Sequence, residues 1–249
     1  MEVEIQRSGP VVIVTINRPE RRNALNSETI AGIGAAFSAA EQDATARVVI
    51  LTGVGDQAFC AGMDLFERRA APSNGPGLEV FTNRCFPKPV IAAVNGAAVG
   101  GGFELVLASD LVVAAEHASF GMPEVKRGLV GAGCSTRLSS RVPPAIAFEL
   151  GFTGDAIGAA RAFELGLVNL VVRQDQLLPT AIALADQIAA NAPLALRMTK
   201  ELMFQEMGMH NDAEWQAIRA RVAPVFASED AKEGAAAFAE KRPPRWSGR

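Results

Sequence analysis

Three short apolar runs, at 47–51, 89–94 and 111–115, constrain this chain most. The first stops at Thr52-Gly53 and the second at Asn95-Gly96, pairs that end an extended segment. Each run reads as a strand, and each is followed by a loop and a helical segment, so β, β, α units recur. That alternation predicts an α/β core whose strands are stacked or paired in parallel. Upstream, the β-rich runs 3–7 and 11–16 flank Ser8-Gly9-Pro10, a hairpin signal. Between the hairpin and the first run, Ser27 is expected to cap a helix over 28–42. There Ile30, Ile33, Ala36, Phe37 and Ala40 recur at helical spacing.

After 115 the pattern becomes helical, with helices expected at 144–150, 159–165, 176–190, 194–207, 212–226 and 229–240. Asn191-Ala192-Pro193 marks a boundary, dividing the chain into a β/α core at 1–192 and a helical region at 193–249. The stretch 70–77, built of Ala, Pro, Ser, Asn and Gly, reads as a mobile surface loop. No sequence repeat of strict period is visible.

Composition removes several classes of function. Of 249 residues, 49% are hydrophobic and 20% charged, as in a packed globular protein. A net charge of -3 with scattered Lys and Arg gives no footprint for nucleic acid. Cys60, Cys85 and Cys134 are odd in number and show no C-x-x-C spacing, which predicts free thiols in a reducing cytoplasm. The acidic start Met1-Glu2-Val3-Glu4 runs straight into alternating residues, so no targeting signal is expected. Apolar stretches break well before the ~20 residues of a membrane span. With only His117 and His210, a histidine triad or zinc site has little to draw on.

The chemistry concentrates at two turns. Gly100-Gly101-Gly102 follows a strand and precedes a helix expected from Phe103 to Ala108, which carries Glu104. Glycines admit positive φ and a close ligand, and the first N–H groups of a helix suit developing negative charge on oxygen. Taken alone, a glycine triplet reads first as a flexible turn or tight helix–sheet packing. The second turn, Ala61-Gly62-Met63-Asp64-Leu65, lies between strand 47–51 and a short helix expected at 65–69, for which Asp64 is a ready N-cap. If the turns are neighbours, the N–H groups of Met63 and Gly101 can share one thioester oxygen. Each such donor is worth roughly 3–4 kcal/mol in acyl transfer. Glu124 sits in Phe120-Gly121-Met122-Pro123-Glu124, where apolar neighbours would desolvate its carboxyl. Together with Glu104 it could hold water and move a proton.

These segments resemble the three motifs of the crotonase (enoyl-CoA hydratase/isomerase) superfamily: 59–65, 94–105 and 120–124. The resemblance extends to Asn17-Arg18-Pro19 through Asn26, to 162–169, and to 228–234 with Glu240-Lys241-Arg242, so it spans essentially the whole chain. It implies a spiral of repeated ββα units, a C-terminal helical trimerisation region, and a homotrimer or a homohexamer of paired trimers. It also implies that Met63 and Gly101 form the oxyanion hole and that Glu104 and Glu124 are the catalytic acids. Arg22, Ala24, Ala61, Gly62, Asp64 and Leu65 would line the coenzyme A path, and Lys241 would reach a phosphate of coenzyme A. The substrate is then an acyl-CoA, with no metal or redox cofactor. Reversible syn hydration of a 2-trans-enoyl-CoA is the expected reaction. Enoyl isomerisation, carnitinyl-CoA dehydration (suggested by Pro143-Pro144) and non-catalytic acyl-CoA binding are the alternatives.

Overall fold

A computed structural model describes residues 1–64, 77–82, 85–127, 131–206, 224 and 227–249. The hairpin forms where Ser8-Gly9-Pro10 predicts it: β1 (Val3–Ser8) pairs antiparallel with β2 (Val11–Ile16). Helix α1 (Ser27–Gln42) follows, one residue earlier than expected. Its cap is therefore Asn26, whose side-chain oxygen accepts from the Thr29 N–H at 2.8 Å.

The chain then winds in ββα turns. The first is β3 (Val48–Gly53), β4 (Ala58–Cys60) and the short α2 (Glu79–Thr82). The second is β5 (Val90–Val94), β6 (Ala97–Val99) and α3 (Gly101–Ala108). The third is β7 (Leu111–Ala115), β8 (Ser119–Gly121) and α4 (Ala132–Arg141). Beyond it lie α5 (Pro144–Thr153), β9 (Ile157–Gly158), α6 (Ala159–Glu164), β10 (Leu170–Val172), α7 (Leu177–Ala189) and α8 (Pro193–Glu206). A last helix covers Glu229–Glu240.

The longer strand of each turn joins one sheet, ordered β1-β2-β3-β5-β7-β10 and parallel from β2 onward. The shorter strand joins a second sheet, β4-β6-β8-β9, in which β9 runs antiparallel. Alternate side chains of the first sheet point to opposite faces. Val12, Val14, Leu51 and Val94 enter the main core with Phe37, Phe59, Phe103 and Phe120. Val11, Ile13, Val48, Ile50 and Ile91 meet Leu177, Ala181 and Ala185 of α7. Burial on both faces is why the central strands are continuous apolar runs rather than alternating ones.

Helix α3 starts at Gly101, two residues before the expected Phe103, so Gly101 and Gly102 are its first turn. Gly102 packs directly against β4: a Cβ there would lie 2.0 Å from the Cys60 carbonyl oxygen. Gly102→Ala must part the helix from the second sheet, and is expected to cost about 3 kcal/mol in chemical denaturation. A loss below about 1 kcal/mol would show that the contact relaxes at little cost. Two buried asparagines hold the turn before β4. Asn23 Nδ2 donates to the carbonyls of Val54 and Ala58, and Asn95 Nδ2 to those of Gly55 and Ala58.

The short helix expected at 65–69 and the stretch 70–76 of the expected loop lie outside the described residues, as does nearly all of the helix expected at 212–226. Among the described residues, no helix is long and apolar enough to cross a membrane.

Candidate active site

After β4 the chain turns at Gly62 with φ 89°. A Cβ there would stand 2.8 Å from the Val99 carbonyl and 3.3 Å from the Gly101 nitrogen, so only glycine lets this turn lie against the one that opens α3. The segment after the Arg18-Pro19 turn pairs along the other side. Ala61 N–H donates to Arg22 O at 3.0 Å, Leu25 N–H to Gly62 O at 2.8 Å, and Asp64 N–H to Leu25 O at 2.8 Å. Leu25 and Met63 thereby form an isolated parallel bridge. In such a bridge the residue between the two bonded ones turns its own N–H to the opposite side. Met63 N–H is consequently directed away from Leu25.

The group it turns toward is Gly101. A Cβ on Gly101 would lie 3.7 Å from the Met63 nitrogen and 3.7 Å from Gly62 Cα, so the two turns are in contact. As the first residue of α3, Gly101 offers an N–H that helix geometry leaves without an intrahelical acceptor. Neither N–H takes part in the turn and loop hydrogen bonds of the described residues. Two backbone donors therefore converge at the positive end of a helix, an arrangement suited to an oxyanion.

The two carboxyls flank this point. Gly100, at φ 57°, donates its N–H to Gly121 O at 3.0 Å and so ties α3 to the end of β8. The following 3-10 turn, Pro123–Arg127, carries Glu124 back over the glycines. Glu124 Oε1 sits 3.2 Å from where a Cβ would stand on Gly100, and its Cδ 3.0 Å from the same point on Gly131. Glu124 Oε2 is buried with no hydrogen-bond partner. Glu104, one turn into α3, is half-buried, and its pKa lies above the ordinary glutamate range. Burial is the main cause; the Arg137 charge opposes it and the Glu124 charge adds to it. Cys134 closes the floor of the site, its thiol donating to Gly100 O at 3.3 Å. Burial, helped by both carboxylates, raises its pKa and keeps it a neutral thiol.

The raised Glu104 pKa has a consequence for stability. Between the ordinary and the raised value the folded chain holds a proton that the unfolded chain releases, so stability falls as pH climbs through that window. Glu104→Gln removes this cost. The variant is expected to melt above the parent at pH 8 and near it at pH 4; an equal difference at both pH values would show that burial does not load this carboxyl.

The structure brings Met63, Gly101, Glu104, Glu124, Ala61, Gly62 and the 22–25 segment together. Arg22 is exposed at φ 52° and offers its carbonyl to Ala61, while Ala24 is buried. Asp64 turns its carboxylate inward to Arg18 at 3.2 Å, leaving its backbone on the turn. Leu65 lies outside the described residues. Lys241 is exposed just after the last helix, with φ 54°. No site role for Arg18, Leu25, Gly131 or Arg137 is legible in the sequence alone. Of these, Arg18 was the most accessible to inference: an arginine directly before proline, ahead of an Asn-Ala-Leu-Asn turn.

A family profile described as enoyl-CoA hydratase/isomerase matches residues 6–249. The chain is 42% identical over 261 residues to a carnitinyl-CoA dehydratase of Salmonella paratyphi A, covering 99% of this chain and 98% of that one. Among solved structures it is similar to an enoyl-CoA hydratase of Mycobacterium tuberculosis H37Rv, with 48% identity, a TM-score of 0.94, and 100% and 99% of the two chains covered. A carnitinyl-CoA hydratase of Mycobacterium avium shows 40% identity and a TM-score of 0.78 over 100% and 99% of the chains. A two-sheet spiral whose glycine turns meet two carboxyls, matched over its whole length, places this chain in the enoyl-CoA hydratase/isomerase family of the crotonase superfamily.

Proposed function

We propose that this protein catalyses the reversible syn hydration of a 2-trans-enoyl-CoA to a 3-hydroxyacyl-CoA. The observation that carries the reading is the contact between the Met63 and Gly101 turns with Glu124 set against Gly100. The thioester oxygen would rest between the Met63 and Gly101 N–H groups. Water held by Glu104 and Glu124 would bond through its oxygen to C3. The C2–C3 π electrons would move toward the thioester, forming an enolate whose negative oxygen those N–H groups stabilise. Glu124 would deliver the proton to C2 on the same face and recover one from the attacking water. Coenzyme A is part of the substrate, and the steps as written need neither a metal nor a redox carrier. The coenzyme A chain would run along the 22–25 and 61–65 segments, and Lys241 would meet one of its phosphates, across a subunit boundary in a trimer or hexamer.

The test is loss of enoyl absorbance with crotonyl-CoA and longer 2-enoyl-CoAs. Binding of these esters with no turnover at any chain length would overturn the reading.

The 42% identity to carnitinyl-CoA dehydratase over nearly the whole chain favours a second reading, dehydration of carnitinyl-CoA, which uses the same steps in reverse. The two differ at the acyl tail. Glu104 and Glu124 would attract its quaternary ammonium and Arg137 would repel it. A kcat/KM for carnitinyl-CoA at least about tenfold above that for 3-hydroxybutyryl-CoA would select the second reading; the opposite ratio would select the first.

A further inference from the structure

Among the described residues, two buried side-chain polar atoms have no hydrogen-bond partner: Glu124 Oε2 and Arg47 Nη1. The first faces the candidate active site. The second lies elsewhere: Arg47 immediately precedes β3 of the first sheet, whereas the glycine turns of the candidate active site follow β4 and β6 of the second. Arg47 lines a cavity of about 800 Å³ between the end of α1, the approach to β5, the start of α8 and the C-terminal tail.

The cations of this cavity differ in how they are engaged. Lys88 Nζ donates to the carbonyls of Ala40 and Asp43 at 2.5 and 2.6 Å, capping the end of α1. Arg197, on α8, is paired with Glu201 at 3.0 Å and is largely exposed. Glu41 also lines the wall, so among the described residues of the lining the cationic groups Arg47, Lys88 and Arg197 outnumber the carboxylates Glu41 and Glu201. Burial, reinforced by the Arg47 charge and opposed by Asp43 and Glu41, holds the Lys88 pKa below its ordinary range. A guanidinium is always charged and presents five donors in a planar fork, and sealing one of its nitrogens from both water and protein acceptors is costly. An oxyanion in the cavity would pair with the remaining donors of the Arg47 guanidinium and neutralise the charges of Arg47 and Lys88 together.

We propose that this cavity is an anion-binding site, separate from the acyl-CoA site, in which the Arg47 guanidinium takes a phosphate or carboxylate group of a small molecule. Titration calorimetry of the full chain with inorganic phosphate and with citrate, against chloride at equal ionic strength, tests it and separates the two oxyanion chemistries. The parent is expected to bind at least one of them, and Arg47→Met to bind it at least about tenfold more weakly, as for loss of a charge-assisted hydrogen bond. Crotonyl-CoA turnover in Arg47→Met should stay within about twofold of the parent. That result sets the site apart from any phosphate contact made by bound coenzyme A. Should Arg47→Met fail to fold, Arg47→Lys keeps the charge without the fork and is expected to bind at least about threefold more weakly. No binding of either anion by the parent, or unchanged affinity in the folded variant, would overturn the proposal.

Discussion

Replacing Glu124 with Gln is expected to lower the turnover of a 2-enoyl-CoA by about 10²–10⁴-fold, with little change in KM, because under the proposed mechanism it removes the group that moves a proton in the transition state. The substitution is nearly isosteric, which matters in so confined a place. Glu124 Cδ stands 3.0 Å from the Cβ position of Gly131, and Oε1 is 3.2 Å from that of Gly100. A glutamine fills the same space, so circular dichroism should report an unchanged fold. What it cannot do is take and return a proton at the position of Oε2, the buried oxygen that no protein group satisfies. A fall of less than about tenfold would remove Glu124 from the proton-transfer role and leave Glu104 as the acting acid. Gly131→Ala offers an independent check: its methyl group would press on the same carboxyl, and kcat should fall while ester binding persists.

Arg18→Met is expected to be among the most destabilising single changes in the molecule. Arg18 is 4% exposed, as is the carboxylate of Asp64, and Nη1 reaches both Asp64 Oδ2 at 3.2 Å and Ala24 O at 2.6 Å. Its Nε meets Glu2 Oε1 at 3.0 Å. One side chain therefore joins the N-terminus, the 22–25 segment and the 61–64 turn. Breaking a buried ion pair by removing one member costs about 3–5 kcal/mol, measured as a shift in the urea midpoint. The functional effect follows from the same geometry. Arg18 holds the Leu25–Met63 bridge from both sides, and that bridge orients the Met63 N–H. Turnover per folded molecule should drop as well, through kcat more than KM. The double variant Arg18→Met/Asp64→Leu should recover part of the lost stability without recovering the turnover. A double variant as unstable as the single one would assign the loss to the Ala24 and Glu2 contacts instead.

The elements that the sequence revealed are those with a local signal. The hairpin was legible because Gly9 sits between two β-rich runs, and α1 because its apolar residues repeat at helical spacing. The first sheet was legible because strands buried on both faces are apolar throughout. The second sheet was not, since β4, β6 and β8 are three residues each and too short to show a period. The start of α1 was misplaced by one residue because Asn26 and Ser27 are both good caps. Only the contact with Glu2 and Thr29 distinguishes them.

The site divides along the same line. The residue types and their order (two glycine turns, two glutamates, a family motif at each) were determined by the sequence alone, because glycine lets a ligand approach backbone N–H groups and a carboxyl can move a proton. Why the three adjacent glycines are all glycine was decided only by tertiary structure. Gly100 makes room for the Glu124 carboxyl, Gly101 lies beside the Met63 nitrogen, and Gly102 touches the Cys60 carbonyl. The same holds for the buried Arg18 that sets the Met63 turn and for Arg47 in its separate cavity. Each depends on atoms brought together from distant parts of the chain, and no local pattern encodes distances between them.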